Sequence, residues 1–373
     1  MMRTSSAVDE RRLLIGVVIH GPEVVDTGFA LQALEWLEER GDVVAVLGGT
    51  MGRVAVIDAG LERRIDISRR RSPSQSVHDL QHSDLTVLLN HAKSRETGLV
   101  FGAIVAARAR PANPLVQVDS GGRFVAALAN LSEKSDAIAK GLASHFGFDI
   151  LDACMPYDNL RQEGDVIVRR MSGVLPGERI SVNGTVIGTA TDAHVEIMAR
   201  DGRIVGGRGI NLKRHGLEKL PYVDLRSAIL RSGSVRRTAG MLKPRISSVK
   251  TSRNGRFAII DHAAEESFEH ASDASFVITI GDDTTAIAGD VLSRLGIPVL
   301  GIVDGDLDCI CNGLVMPEGS VVVRVREGND DIIGRAIKAI SEKHRPSSLN
   351  EALDMVREVA GERIVSVIRC NGR

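Results

Sequence analysis

Short runs of aliphatic residues recur along the chain, and each run ends in a polar or glycine-rich loop. In the N-terminal part the runs occupy residues 13–19, 43–47, 85–89 and 114–118. Between the first two, Leu31, Leu34 and Leu37 lie at helical spacing, as in an amphipathic helix over residues 28–40. Strands that alternate with helices form parallel sheets. The pattern predicts an α/β fold with a mostly parallel, Rossmann-like sheet or sheets and helices on both faces.

The middle of the chain has a different pattern, with short β-branched runs between residues 165 and 213. Asn183-Gly184 and Asp201-Gly202 separate neighbouring runs, and both dipeptides favour tight hairpins. We therefore predict a small antiparallel β module here. The alternation of strands and helices resumes near residue 256, so the sequence alone leaves open whether the two α/β parts share one sheet.

Length and composition agree with a globular protein of several domains. A chain of 373 residues exceeds the roughly 250–300 residues at which single cores stop growing. The composition is 43% hydrophobic but only 3% aromatic, which favours aliphatic cores and a covered parallel sheet. We predict an N-terminal α/β domain (1–160), a β module with a basic connector (161–255) and a C-terminal α/β domain (256–373).

Charge and cysteine content narrow the expected partners and location. The formal net charge of −1 gives no overall attraction to nucleic acid or to an anionic membrane. No apolar run approaches the roughly 18 residues that span a bilayer, and four cysteines in 373 residues do not form a disulfide framework. We predict a cytoplasmic protein with no membrane partner; the oligomeric state is not predicted.

The first group of candidate ligand residues follows the N-terminal strands. Gly48-Gly49-Thr50-Met51-Gly52-Arg53 lies between a strand and a helix, where free backbone N–H groups favour an anion. A simple tight turn is the alternative interpretation. His20 follows the first strand, and Asn90, His91 and Lys93 follow another. Because ligands collect beyond the carboxyl ends of parallel strands, we expect these side chains to converge on a small phosphorylated ligand.

The second group is acidic and lies in the C-terminal part. Gly281-Asp282-Asp283-Thr284-Thr285 follows one strand, and Asp304, Asp306 and Asp308 follow the next. Carboxylate oxygens are the ligands that Mg²⁺ takes in proteins. We predict Asp282, Asp283, Asp304 and Asp306 as catalytic residues, Thr284 as a ligand contact and Asp304, Asp306 and Asp308 as metal ligands. The alternative is that Asp283, Thr284 or Thr285 merely caps a helix.

Two local resemblances fall on these acidic loops. The stretch Gly281-Asp282-Asp283-Thr284, with the later run Ile297-Pro298-Val299-Leu300-Gly301-Ile302, resembles the NAD kinase and diacylglycerol kinase family, with aspartate in place of a glycine. The Asp304-x-Asp306-x-Asp308 series is similar to the acidic signature of Toprim domains, without the glutamate that they carry after the preceding strand. The first resemblance implies phosphate chemistry with Mg²⁺, and the second implies action on nucleic acid.

Two further features offer weaker alternatives. Cys309 and Cys311 form a C-x-C pair, but the chain has neither C-x-x-C nor a second compact pair, so an iron–sulfur or zinc site is not favoured. Residues 226–256 are rich in arginine and lysine, but Phe257 is the one aromatic residue near them and offers little for base stacking. Nucleic acid is therefore an alternative partner and not the favoured one.

The N-terminal run 17–28, together with Leu47-Gly48-Gly49-Thr50-Met51-Gly52-Arg53 and the residues up to Leu61, resembles an uncharacterised family of methanogenic archaea, a domain of unknown function. The resemblance implies an archaeal setting and gives no activity. Our first hypothesis is a protein that binds or transforms a phosphorylated or nucleotide-like ligand with Mg²⁺. The alternatives are a Toprim-like protein acting on nucleic acid and a non-catalytic assembly or regulatory protein; the sequence does not decide whether it is an enzyme.

Overall fold

The chain folds into two compact units. A computed structural model describes residues 11–48, 52–69, 71–153, 159–171, 173–220, 222–233, 236–238, 241–247, 256–261, 264, 267–271, 273–305 and 316–370. The first unit comprises Met1–Gly52 and Arg63–Tyr157, and the second comprises Arg53–Glu62 and Asp158–Arg373. Residues 53–62 therefore lie between two stretches of the first unit in the sequence but pack within the second unit.

The first unit is built on a seven-stranded sheet. Its strands are β1 (Leu13–His20), β2 (Gly41–Leu47), β3 (Ile65–Asp66), β4 (Leu85–Asn90), β5 (Leu115–Asp119), β6 (Phe124–Ala129) and β7 (Asp149–Asp152). They lie in the order β3-β2-β1-β4-β5-β6-β7. The first five are parallel, and β6 runs antiparallel to β5. All six residues of β4 and all five of β5 are buried, as expected for strands covered on both faces.

Six helices accompany these strands in the chain. They are α1 (Glu23–Asp26), α2 (Phe29–Glu38), α3 (Gly52–Ala59), α4 (Pro73–Asp79), α5 (Arg95–Ala109) and α6 (Glu133–Phe146). Ser72 and Ser132 each form a reciprocal capping box, at α4 and α6, and such caps satisfy N–H groups that the first helical turn leaves without partners. Gly147, with φ 62°, ends α6 in the left-handed conformation that glycine accepts readily.

The middle of the chain forms two four-stranded antiparallel sheets. The strands are β8 (Leu160–Glu163), β9 (Val166–Met171), β10 (Arg179–Val182), β11 (Thr185–Ala190), β12 (Val195–Arg200), β13 (Arg203–Arg208), β14 (Ile210–Leu212) and β15 (Leu230–Ser232). Helix α7 (Arg214–Glu218) follows β14. Asn183-Gly184 and Asp201-Gly202 have positive φ at both positions, as type I′ hairpin turns require. The predicted antiparallel module is confirmed.

The C-terminal strands form a separate five-stranded sheet. In spatial order they are β16 (Arg256–Asp261), β17 (Ala274–Ile280), β18 (Val299–Val303), β19 (Val321–Val325) and β20 (Ile364–Arg369). The first four are parallel, and β20 is antiparallel to β19. Helices α8 (Ser267–Ala271), α9 (Asp282–Ser293), α10 (Asp330–Lys343) and α11 (Leu349–Ala360) accompany them. The two α/β parts thus have separate sheets.

Helices cover both faces of this second sheet. On one face Phe276, Ile278 and Leu300 pack with Ile337 of α10 and Val356 of α11. On the other face Val277 and Val299 pack with Ala271 of α8 and with Ala288 and Leu292 of α9. The α/β fold with mostly parallel sheets, helices on both faces and an antiparallel module is confirmed.

A buried ion cluster fixes part of the basic segment within the second unit. The carboxylate of Asp58, on α3, is fully buried and accepts hydrogen bonds from the guanidinium groups of Arg236 at 2.7 Å and Arg294 at 3.1 Å. The backbone N–H of Arg245 also donates to it, at 3.0 Å. Arg236, one of the residues that suggested nucleic-acid binding, is therefore used inside the protein.

Candidate functional site

The carboxyl ends of the central strands bring several predicted ligand residues together in the first unit. His20 pairs in register with Asn90, and Asn90 pairs with Asp119, so the ends of β1, β4 and β5 lie side by side. The imidazole Nδ1 of His20 lies 2.8 Å from the carbonyl oxygen of Gly48. This row of strand ends and its loops is called the first edge below.

The first edge contains a change of direction in the strand order. From β1 the sheet continues through β2 to β3 on one side, and through β4 to β5 on the other. In open α/β sheets a crevice forms beyond the carboxyl ends of the strands at such a switch point, and ligands bind there. His20 and Asn90, at the ends of β1 and β4, lie at this position.

Packing requires glycine at Gly48 and favours it at Gly52, the two described glycines that follow β2. A Cβ on Gly48 would lie 2.7 Å from Cγ1 of Val18 and 2.9 Å from Cα of Pro73, and a Cβ on Gly52 would lie 2.6 Å from Cδ1 of Leu47. Each distance is too short for a real side chain. Packing against the first unit therefore explains both glycines. Gly49 and Thr50 lie outside the described residues.

Arg53 lies in the second unit, where it is 3% exposed. Its guanidinium carbon is 5.8 Å from the ring centroid of Phe268, within the range of a cation–π contact. Its predicted contribution to anion binding stays a prediction.

Asn90 is part of a buried polar network at the first edge. Its amide Nδ2 donates to the carboxylate of Asp119 at 2.5 Å, and its Oδ1 accepts from Nε2 of Gln117 at 2.9 Å. The same carboxylate accepts the backbone N–H groups of Ala92 at 3.1 Å and Gly122 at 2.7 Å. Asp119 thus connects the loop after β4 to the loop after β5.

Burial dominates the electrostatics of Asp119, which has no exposed surface. Loss of hydration raises the pKa of this carboxyl above its ordinary value, although the donated hydrogen bonds oppose the shift. Asp119 is not among the site residues predicted from the sequence. Its position directly after a strand, equivalent to that of Asn90, is the signal by which it could have been found.

The loops above Asp119 hold further polar groups. Nδ1 of His91 lies 2.9 Å from the hydroxyl oxygen of Ser120, and the two residues follow β4 and β5. Lys93 is half-buried in the same loop as His91. Helix α5 begins two residues later, where the hydroxyl of Ser94 accepts the N–H of Thr97 at 3.2 Å. The first edge therefore combines imidazole and ammonium groups with a helix N-terminus.

Carboxylates gather at the equivalent edge of the sheet in the second unit, the second edge. Asp282 begins α9 after β17, and its Oδ1 accepts the N–H of Gly305 at 3.3 Å. Asp304 follows β18, and its Oδ2 accepts the N–H of Gly328 at 2.6 Å. Asp330 begins α10 and is 9% exposed. The structure thus adds Asp330 to the predicted set.

Burial and mutual repulsion act on these carboxyls. Loss of hydration, followed by the charge of Asp304, raises the pKa values of Asp282 and Asp330 above their ordinary range, and the adjacent carboxylates Asp283 and Asp331 raise them further. Among the described residues no three His, Cys, Asp or Glu side chains are grouped closely enough to hold a metal ion. Asp306 and Asp308, two of the three predicted metal ligands, lie outside the described residues.

The helix-capping alternative for Asp283, Thr284 and Thr285 is wrong. The N-cap of α9 is Gly281, with φ 96°, and no side chain makes a capping hydrogen bond. Thr285 is fully buried and its hydroxyl lies 2.8 Å from that of Thr279. Thr284 is also buried, whereas Asp283 is exposed in the first helical turn. Their predicted roles at a ligand site stay predictions.

The remaining predicted features give little further. Cys309, Cys311 and Cys154 lie outside the described residues, and the half-buried thiol of Cys370 packs beside Val303 and Val322. Within the described part of the chain, no helix has both the length and the apolar character needed to cross a bilayer.

Comparison with known proteins identifies the family. Residues 17–345 match the family described as "Uncharacterized protein conserved in archaea (DUF2117)". A relative from Methanocaldococcus jannaschii, "Uncharacterized protein MJ0065", is 39% identical over 352 residues, which cover 92% of this chain and 96% of that protein. The resemblance found in the sequence is confirmed, and the chain belongs to this archaeal family.

Proposed function

We propose that this protein binds a phosphorylated or nucleotide-like ligand at the first edge and Mg²⁺ at the second edge. The observation that carries the proposal is the switch point of the first sheet, where the order β3-β2-β1-β4-β5 changes direction between His20 and Asn90. A crevice at such a point is the usual ligand position in open α/β sheets.

The chemistry of the first edge favours an anion. His20, His91 and Lys93 follow its strands, and all three side chains can carry positive charge. Helix α5 begins at the same edge and is 15 residues long, so its N-terminus adds a favourable dipole and unpaired N–H groups. Asp119 lies wholly buried beneath these groups and supports their loops through the N–H groups that it accepts.

The proposed magnesium ion is supported by the crowding at the second edge. The charge of Asp304 acts on Asp282 and on Asp330, and this repulsion is one cause of their raised pKa values. A divalent cation bound at Asp304 would relieve that repulsion, with hard oxygen ligands from Asp304 and from the predicted ligands that follow it in the chain. Asp304 begins the series that continues with the predicted ligands Asp306 and Asp308.

The nucleic-acid alternative receives less support. Arg236 is 8% exposed at its side chain and bonded to Asp58, and Arg226 donates to Gln162 at 3.3 Å. Part of the basic stretch that favoured nucleic acid therefore serves contacts within the second unit. A non-catalytic assembly role is the outcome to conclude if the purified protein carries neither ligand nor metal.

The test is mass spectrometry of the full chain purified gently under anaerobic conditions, with bound metals and released small molecules both measured. We expect a phosphorylated compound and stoichiometric Mg²⁺ in the wild type. Asp304→Asn should lose the metal, whereas Asp354→Asn, an exposed carboxylate on α11, should keep it. Protein that contains neither, in an extract rich in nucleotides and Mg²⁺, would overturn the proposal, and bound zinc or iron would redirect attention to Cys309 and Cys311.

A further inference from the structure

A cleft of about 600 Å³ lies in the second unit, and none of its lining residues belongs to the second edge. Its walls come from β16, through Arg256, Phe257 and Ile259, and from the last turns of α10 and the residues that follow, through Lys338, Ser341 and Arg345. Binding sites for small molecules usually occupy about 300–1,000 Å³. The cleft is therefore large enough for a small organic ligand.

The cleft lies at the end of the second sheet opposite to the acidic residues. Arg256 begins β16, whereas Asp282 and Asp304 follow the ends of β17 and β18, which run parallel to β16. Strand β16 is also the outermost strand of this sheet among those that the structure describes. A ligand in the cleft would thus be separate from the proposed magnesium ion.

Of the three positively charged side chains that line the cleft, one forms an ion pair within the described part of the chain. Lys338 forms an ion pair with Asp261. Neither Arg256 nor Arg345 forms an ion pair within the described part of the chain, and both side chains belong to exposed residues. Glu342 also lines the cleft. The cleft thus contains one carboxylate and two guanidinium groups that have no ion-pair partner among the described residues. Guanidinium groups bind phosphate oxygens through paired, charge-assisted hydrogen bonds.

The floor of the cleft is apolar and rigid. The ring of Phe257 stacks on that of Phe276, with centroids 5.7 Å apart and an angle of 14° between the planes. Ile259 is half-buried beside it in the same strand. Such a surface suits the apolar or aromatic part of a ligand, since flat rings pack well on an aromatic side chain.

The polar residue Ser341 lies in the wall of the cleft. This residue is 5% exposed and lines the cleft, and its hydroxyl has no hydrogen-bond partner among the described residues. Buried hydroxyl groups are nearly always hydrogen-bonded in native proteins. The oxygen itself has almost no accessible surface, so a ligand in the cleft does not contact it directly, and the proposal does not depend on this hydroxyl.

We propose that the cleft binds an organic phosphate monoester. Arg256 and Arg345 pair with the phosphate, and the apolar part of the ligand lies on Phe257 and Ile259. This site is additional to the ligand position at the first edge and does not depend on it.

The test uses the full chain and 1-naphthyl phosphate as the probe, with inorganic phosphate and 1-naphthol as comparisons, all followed by isothermal titration. The probe should bind more tightly than either comparison compound, because only the probe carries both the charge and the ring. Arg256→Ala with Arg345→Ala should weaken its binding by at least about tenfold. Arg357→Ala is the matched control, because this exposed arginine lies on α11 and pairs with Asp354.

Three results would overturn the proposal. The first is that the probe does not bind at about 1 mM, a concentration that detects even weak binding. The second is that the wild type and the double arginine variant bind the probe with equal affinity. The third is that inorganic phosphate binds as tightly as the probe. Lys93→Glu separates the two sites, since it should leave the cleft unchanged. Loss of the probe in Lys93→Glu but not in the double arginine variant would place it at the first edge, which supports the proposed function and refutes the cleft.

Discussion

The two parallel sheets of this protein end in loops of opposite chemical character. At the first edge, histidine, lysine and amide groups follow the strands, and the carboxylate of Asp119 lies fully buried among N–H donors. At the second edge, burial and the charge of Asp304 raise the pKa values of Asp282 and Asp330. The same backbone geometry thus carries different side-chain chemistry in the two sheets, and we propose an anion for one edge and a cation for the other.

The largest effect is expected for Asp119→Ala. Removing this carboxylate leaves the N–H groups of Ala92 and Gly122 and the amide of Asn90 without their acceptor. Buried donors without partners make a protein less stable, so we expect a loss of about 2–4 kcal/mol in the free energy of unfolding. Urea denaturation followed by circular dichroism measures it, with the exposed Asp42→Ala as control. A loss as small as that of the control would show that Asp119 does not organise the first edge.

The next effect concerns Mg²⁺ and the second edge. A ligand that binds the folded state at ten times its Kd stabilises it by about 1.4 kcal/mol. Wild-type protein should therefore gain thermal stability when Mg²⁺ is added, and Asp304→Asn should not. Differential scanning calorimetry with and without Mg²⁺ measures the gain. An equal gain in thermal stability in both proteins would show that Mg²⁺ does not bind at the second edge.

The pH dependence of stability should distinguish the two edges. The pKa values of Asp119 and Asp282 are both raised by burial, so both residues lower stability as the pH rises through their folded-state pKa values. Replacing either by asparagine should remove its share of this decline. Bound Mg²⁺ should reduce the loss of stability with rising pH that Asp282 causes, and should leave the loss that Asp119 causes unchanged. Thermal melts of the two variants from pH 4 to pH 8 check this, and an identical response to Mg²⁺ would contradict the difference between the edges.

The smallest effect is expected in the β module. In the β module, Glu196 pairs with Arg161 at 2.5 Å and Arg208 at 3.0 Å, and these contacts lower the pKa of Glu196 to about 2. Its stabilisation is present above its unfolded-state pKa and is lost as the pH falls towards 2. Because the arginines are solvent-exposed, Glu196→Gln should cost only about 0.5 kcal/mol at neutral pH. A much larger loss in urea denaturation would mean that surface pairs, and not only the edges, control stability.

The central strands β1, β2, β4 and β5 were readable from the sequence because buried strands consist of continuous aliphatic runs, whereas β3, β6 and β7 were not predicted. The two hairpins were readable because Asn-Gly and Asp-Gly tolerate positive φ. Helix α5 was not predicted. Its residues Leu99, Val100, Phe101, Ile104 and Val105 give it an apolar surface on most sides, so no helical period marks it. Helix α4 is short and polar, and only its serine cap signals it.

The candidate sites were predictable only in outline. Asn90 and Lys93 were found because polar residues follow a strand, but the contact of Asn90 with Asp119 depends on the register of two strands 29 residues apart. In the same way, Asp330 follows a different strand from Asp282, and sequence spacing does not reveal that both are near Asp304. Residues 53–62 belong to the second unit by packing and not by sequence position.

The central claim is that the first edge holds an anion and the second holds Mg²⁺. Native mass spectrometry of the gently purified wild type, Lys93→Glu and Asp304→Asn tests it most directly. We predict that Lys93→Glu loses the phosphorylated compound and keeps the metal, and that Asp304→Asn loses the metal and keeps the compound. Equal occupancy of both ligands in all three proteins would contradict the claim.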